Sequence, residues 1–456
     1  MQTRPLTYFT FWLNYQLSGE NPLGYHVLNL ALHIAASVLV YIAGARVLRA
    51  STPALIAALL FAVHPIQTEP VAYVFARSSV LCTLLCLVSL WLWARDREWL
   101  AAGAFVAALL AKEECAAFPV FLLLLWWFGG RVDARRKLAA VGIMLAAAVV
   151  AVIRVAIVAG MIKGSGAGHG ANVGPLEYAS VQGFVVLRYL WMLFVPWGFT
   201  VDPTIDPPMW LRSLAWVALL ALVFLASRRA SLHSPSMWLL AGLILVIPTS
   251  TIFPADDLAA DRRMYLPMIA FSLAAALLFR GRSEPRALAS GFAFLAALAA
   301  ISVHYTLIWR TDTSLWSEAV RRSPSKLRPR LQLARATPPA EALIHLAEAE
   351  RIAPGDPRVA SEQGRVYLEL GRPAEALAAF GRALAASPSD PSAVNNRGVA
   401  LMSLGQTDAA RQDFERALHI DPCLFDARLN FKRLGATPPE APCRFTSAQA
   451  AQLRDR

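Results

Sequence analysis

Four groups of ionisable residues interrupt long apolar runs in the first two thirds of the chain. His64, Glu69 and Arg77 share a polar turn, residues 64–78, between apolar runs 54–63 and 80–93. Lys112, Glu113 and Glu114 separate two short apolar runs, and Asp202 and Asp206 follow Trp197. Asp256, Asp257, Asp261, Arg262, Arg263 and Tyr265 form the fourth group. Carboxylates can take a proton from an incoming hydroxyl. A guanidinium grips phosphate oxygens with two parallel donors, where an ammonium offers a point charge. The plainer reading of each group is a charged turn or an anchor at a helix end. Gathered on one side of a membrane, the four suit transfer from a lipid-linked phosphosugar.

The composition supplies the membrane. The chain has 456 residues, 57% of them hydrophobic and 16% charged, against about 25% charged in soluble domains. The deficit lies in residues 24–306. Apolar runs there predict an all-α fold: a polytopic membrane domain, 1–306, of about ten spans plus one re-entrant or interfacial helix. Several runs fall short of the ~20 helical residues that a bilayer core needs. Short loops carry Arg46 and Arg49, Arg95 and Arg97, and Arg131, Arg135, Arg136 and Lys137. The net charge of +12 is thus a positive-inside signature rather than a nucleic-acid surface. For Arg228, Arg229, Arg280, Arg282 and Arg286 to lie inside as well, one run must not cross. Residues 181–196, with Arg188 at their middle, are the expected exception. Residues 64–77, 112–114, 160–180 and 254–263, and everything after 306, then face outward.

From 307 the composition changes. A connector helix is expected over 307–327, with Thr313 or Ser314 as its cap. At a spacing of 34 residues Gly364 matches Gly398, Gly371 matches Gly405, Phe380 matches Phe414 and Pro388 matches Pro422. This is the tetratricopeptide period, two antiparallel helices per repeat. The repeats are placed at 328–434, with a degraded first copy at Ala342, Leu346, Ala349 and Pro354, and a disordered tail at 435–456.

Cys82, Cys86 and Cys115 lie in apolar runs and read as small hydrophobes. Cys423 and Cys443 could pair in an oxidising compartment, which spacing alone leaves open. His26, Asn29 and His33 share a helix face, as interhelical hydrogen-bond partners or as a metal site. Walker, dinucleotide and zinc motifs are absent, and no metal ligand set is assigned.

In order, Arg4-Pro5-Leu6-Thr7, Asn21-Pro22-Leu23-Gly24-Tyr25-His26, His64-Pro65-Ile66-Gln67-Thr68-Glu69, Lys112-Glu113, Asp261-Arg262-Arg263-Met264-Tyr265-Leu266-Pro267 and Trp309-Arg310 resemble the transmembrane and tetratricopeptide-repeat O-mannosyltransferases and their bacterial relatives. The resemblance implies a GT-C-type glycosyltransferase. It would move a sugar, typically mannose, from a polyprenyl-phosphate donor to Ser or Thr hydroxyls on the periplasmic or lumenal face. The repeats would dock the protein acceptor, and a divalent metal is neither implied nor excluded. Glu69, Asp257 and Asp261 are the candidate catalytic acids. Arg77, Lys112, Arg262 and Arg263 are the candidate phosphate ligands, with His64, Glu113 and Tyr265 lining the site. Such proteins carry one more span and an acidic pair ahead of the first motif. Nothing between Met1 and Leu23 supplies that pair. Two expectations follow: a longer gene product that includes the pair, or a non-catalytic membrane scaffold that recruits partners through its repeats. High Ala, Arg and Leu content points to a bacterial inner membrane, with the repeats in the periplasm.

Overall fold

Prolines and capping side chains set the helix boundaries. In this computed structural model, which describes residues 4–130, 134–161, 173–250, 254–279 and 285–454, no strand occurs among the described residues. The chain divides into two units, Met1–Arg310 and Thr311–Arg456.

Helix α1 (Pro5–Ser18) begins at a proline, as does α2 (Pro22–Leu48), where Asn21 Oδ1 accepts the Leu23 N–H at 3.0 Å. Helix α3 (Ser51–Val63) stops before His64-Pro65, because proline lacks an N–H and clashes with the preceding turn. A 3₁₀ turn (Pro65–Gln67), the short α4 (Thr68–Ala72) and a second 3₁₀ turn (Val74–Ala76) lead into α5 (Arg77–Trp93). The Pro65–Ala72 segment is bent 53° from α3. The polar turn of the sequence is therefore a folded plug, with His64, Gln67, Thr68, Glu69 and Arg77 buried.

Next come α6 (Glu98–Ala111), a 3₁₀ turn (Glu113–Ala117), α7 (Phe118–Gly129), α8 (Ala134–Met161), α9 (Pro175–Phe194), α10 (Met209–Arg228) and α11 (Pro235–Val246). A 3₁₀ turn (Asp261–Met264), α12 (Met268–Leu278) and α13 (Pro285–Ile308) complete the unit. Among the described residues five helices are long and apolar enough to cross a membrane, within α2, α5, α8, α10 and α13, or six if the bent pair counts as one span. Helix α9, which holds most of the run 181–196, is not among them. Helix α6, with 14 residues, rises about 21 Å against the ~30 Å of a hydrocarbon core. The expected outer loop 160–180 falls mainly on 162–172, outside the described residues.

The long helices are inverted relative to soluble ones. Helix α2 buries Asn29, His33, Ala36, Val40 and Ala43 along one seam and exposes Val27, Leu30, Ile34 and Val38. Apolar side chains lose nothing against lipid tails, so packing selects small and polar residues for the interior. Phe105, Phe118, Phe121 and Trp238 form a chain of ring contacts with centroids 5.4–6.3 Å apart.

In the second unit Thr311 caps α14 (Asp312–Arg322), exchanging hydrogen bonds with Ser314. Four helical hairpins or parts of them follow: α15 (Leu327–Ala336) with α16 (Pro339–Ile352), α17 (Pro357–Glu369) with α18 (Pro373–Ala386), α19 (Pro391–Ser403) with α20 (Thr407–Ile420), and α21 (Phe425–Arg433). Asp356 and Asp390 cap α17 and α19, each ahead of a proline, Asp356 accepting the Arg358 N–H and Asp390 the Ser392 and Ala393 N–H groups. In the α17–α18 and α19–α20 hairpins a glycine receives an aromatic ring. A Cβ on Gly364 would lie 2.6 Å from Phe380, and one on Gly398 2.6 Å from Phe414. A disulfide joins Cys423, just ahead of α21, to Cys443, just ahead of α22 (Ser447–Arg454).

These contacts set an expectation. Gly398→Ala and Gly364→Ala should each cost about 1–3 kcal/mol by overpacking. Gly381→Ala, in α18 with open space around it, should stabilise by about 0.5–1 kcal/mol. Thermal unfolding followed by protease protection of α17–α20 reads all three, and equal effects would contradict the packing account.

Candidate functional site

The residue that ties the membrane unit together is Arg262. Its Nη1 lies 2.7 Å from Glu69 Oε1 and its backbone N–H donates to Glu69 Oε2 at 3.0 Å. Its Nη2 donates to Asp257 Oδ2 at 2.9 Å. Burial alone would pull the guanidinium down, and the Glu69 and Asp257 carboxylates more than offset this and push it up. Glu69 reaches the pair because α4 begins one residue before it, inside the plug.

The segment 257–263 is held from α9. Arg188 Nη1 pairs with Asp261 Oδ1 at 3.0 Å. The Tyr189 hydroxyl accepts the Ala260 N–H at 2.8 Å and donates to the Ala260 carbonyl at 2.9 Å. Gln182 Nε2 donates to the Leu258 carbonyl at 3.1 Å. Arg263 donates to the Tyr178 hydroxyl at 3.0 Å and to the carbonyls of Leu258 and Asp257. Glu69, Asp257 and Asp261 thus meet Arg188, Arg262 and Arg263 in one cluster. Arg263 alone of these arginines makes no ion pair among the described residues.

Three of the predicted residues sit elsewhere. Arg77 is fully buried and held by neutral acceptors only. Its Nε donates to Asn29 Oδ1 and its Nη2 to Asn14 Oδ1, both at 2.8 Å, with weaker bonds to the Tyr25 and Thr10 carbonyls. Its guanidinium stacks on Phe11 at 4.3 Å. Lys112 pairs with Glu114 at 2.5 Å and donates to Ser79 Oγ at 2.6 Å. Glu113 accepts a two-pronged bond from Arg4, at 2.6 and 3.1 Å. Burial pushes the Glu113 carboxyl up, and Arg4 outweighs it, leaving it below the usual carboxylate range.

His64 and Tyr265 brace rather than line this cluster. His64 accepts the Ile66 N–H on Nδ1 at 3.2 Å and donates from Nε2 to the Leu193 carbonyl at 3.2 Å. Tyr265 bonds His33 Nδ1 at 2.8 Å, and His33 Nε2 donates to the Ala62 carbonyl of α3 at 3.1 Å, the interhelical role open to it in the sequence. Sequence reading missed Tyr178, Gln182 and Tyr189. Their signal was present: polar groups at helical spacing inside an apolar run, flanking Arg188.

Removing one partner of a buried pair leaves an uncompensated charge, at about 3–5 kcal/mol. Glu69→Ala and Arg188→Ala should therefore lower the melting temperature of the detergent-solubilised chain by several degrees. Asp206→Ala should not, since Asp206 is 86% exposed in its 3.4 Å contact with Arg212. Equal behaviour of all three variants would mean that the cluster does not hold the fold.

A tetratricopeptide repeat family model matches residues 361–422. The chain is 28% identical over 346 residues to the Protein O-mannosyl-transferase F38B6.6 of Caenorhabditis elegans, covering 71% of this chain and 49% of that one. It is 26% identical over 318 residues to the human Protein O-mannosyl-transferase TMTC3, covering 59% and 35%. It is 46% identical over 100 residues to the human Protein O-mannosyl-transferase TMTC4, covering 19% and 14%. The chain spans about half the length, or less, of these curated relatives. With a helical membrane unit followed by tetratricopeptide repeats, the chain is a relative of the protein O-mannosyl-transferases.

Proposed function

We infer that the membrane unit binds a polyprenyl-phosphate sugar beside Asp257 and Arg263 and transfers the sugar, mannose by resemblance, to a protein hydroxyl. The observation that carries this reading is the cluster itself, three carboxylates and three guanidiniums drawn from α4, α9 and segment 257–263. Arg263 is the phosphate ligand, because its partners are all neutral and an anion would complete it. Arg262 is already engaged by two carboxylates, so its part is to hold Glu69 and Asp257 in place. Departure of the phosphate develops negative charge, which preorganised donors stabilise. Asp257, with a side chain 25% exposed, is more open to an acceptor than Glu69 at 7% or Asp261 at 4%. It is the residue of this chain best placed to take the hydroxyl proton.

The repeats dock the acceptor, and the compartment is the periplasm of a bacterial inner membrane. The Cys423–Cys443 disulfide supports an oxidising compartment for the second unit. A scaffold without catalysis is favoured by one observation: Glu69, Asp257 and Asp261 are all already bound to arginines.

Membranes containing the chain, given labelled polyprenyl-phosphate mannose, should transfer label to protein. Arg263→Ala should reduce transfer about 10²-fold or more and Asp257→Asn by about 10², with Asp206→Ala unchanged. Label transfer that survives both substitutions would remove the site assignment. No transfer from any form, including one extended upstream, would leave the scaffold.

A further inference from the structure

Cys82 and Cys86 lie four residues apart in α5 and so share one face of that helix. Cys115 approaches them from the 3₁₀ turn after α6. The three Sγ atoms lie within 4.8 Å of one another, and all three residues are fully buried and outside any disulfide. Cys82 and Cys115 both donate to the Lys112 carbonyl, at 3.4 and 3.3 Å, so two thiols from different elements aim at one point.

A second observation concerns Glu114. It is 6% exposed, and although it forms an ion pair with Lys112 Nζ, neither carboxylate oxygen accepts an aligned hydrogen bond. A buried carboxylate in that condition is a costly arrangement unless something else completes it. Small apolar packing accounts for any one of the cysteines. It does not account for three converging sulfurs, one of them on the residue that follows an incompletely satisfied carboxylate.

We propose that Cys82, Cys86 and Cys115 bind one thiophilic d¹⁰ cation. Zinc–sulfur bonds of about 2.3 Å place tetrahedral sulfurs about 3.8 Å apart, so closing from the observed spacing needs only small side-chain rotations. Binding sends the three thiol protons to solvent. Three thiolates, the Glu114 carboxylate and the Lys112 ammonium sum to −3. Zn²⁺ leaves −1 and Cu⁺ leaves −2, and the smaller residual charge is favoured in a buried site. Zn²⁺ is therefore the assigned ion. The bound ion pins the turn that carries Lys112 and Glu113 to α5, whether or not the protein transfers a sugar.

The full chain, purified in detergent from cells grown with added zinc or copper, is analysed by elemental mass spectrometry. About one equivalent of zinc is expected. Cys86→Ser and Cys115→Ser should each lower it about 10-fold or more, while Cys423→Ser, in the second unit, should keep it. Copper in place of zinc supports the thiolate site and overturns the charge argument. Because the serine variants could fold poorly, unsubstituted metal-depleted chain is also titrated with Co²⁺, where thiolate-to-cobalt charge-transfer absorption is expected. Absence of that absorption, together with less than a tenth of an equivalent of either metal, overturns the site.

Discussion

A carboxylate taken out of water must be answered by charge or by donors, and in this protein that requirement joins residues 193 positions apart. Glu69 is buried in the plug between α3 and α5, and its two oxygens accept from the side chain and the backbone of Arg262. Removing either partner would strand a charge in a low-dielectric interior. The pair therefore fixes the plug against segment 257–264, and Arg262 extends the same constraint to Asp257. Helix α9 repeats the logic from the other side, through Arg188 on Asp261 and Tyr189 on Ala260.

Such a cluster needs room, and the helix lengths provide it. Helices α6, α7, α11 and α12 have 11 to 14 residues. They end in polar turns where longer spans would continue as apolar surface. Irregular backbone of this kind persists in a membrane protein only where it is enclosed by other elements or lines a wet cavity. The turns at 64–76, 113–117 and 257–264 each anchor polar groups on distant partners, Glu69 on Arg262, Glu113 on Arg4 and Asp261 on Arg188, while the Gln67 and Glu114 side chains accept no aligned hydrogen bond. The engaged ion pairs of such a network specify one arrangement of the segments they join.

The repeat unit follows different physics. Its helices are short and amphipathic, its caps are local, and each hairpin buries its apolar face against the next. Gly364 and Gly398 admit the rings of Phe380 and Phe414, so the period visible in the sequence is a packing period. Arg397 fastens α19 to Asp413 of α20 at 2.6 Å, and Asn395 meets Asn430 at 3.1 Å.

The helical class, the change of character near residue 307 and the repeat register are all legible in the order of residues along the chain. Each of these rests on local pattern: hydrophobic run length, proline and capping residues, and spacing at a fixed period. Glu69, Asp257, Asp261, Arg262 and Arg263 are legible there too, because charged residues between apolar runs stand out. Which of them meet depends on how distant segments pack. Arg77 lies in the same loop as Glu69, yet it turns to Asn14 and Asn29, while Glu69 turns to Arg262. Side chains leaving a folded plug diverge within a few residues, and loop membership carries no direction. The three cysteines show the same limit from the other end. They read singly as apolar filler, and their convergence depends on how α5 packs against the turn after α6, which no spacing along the chain records.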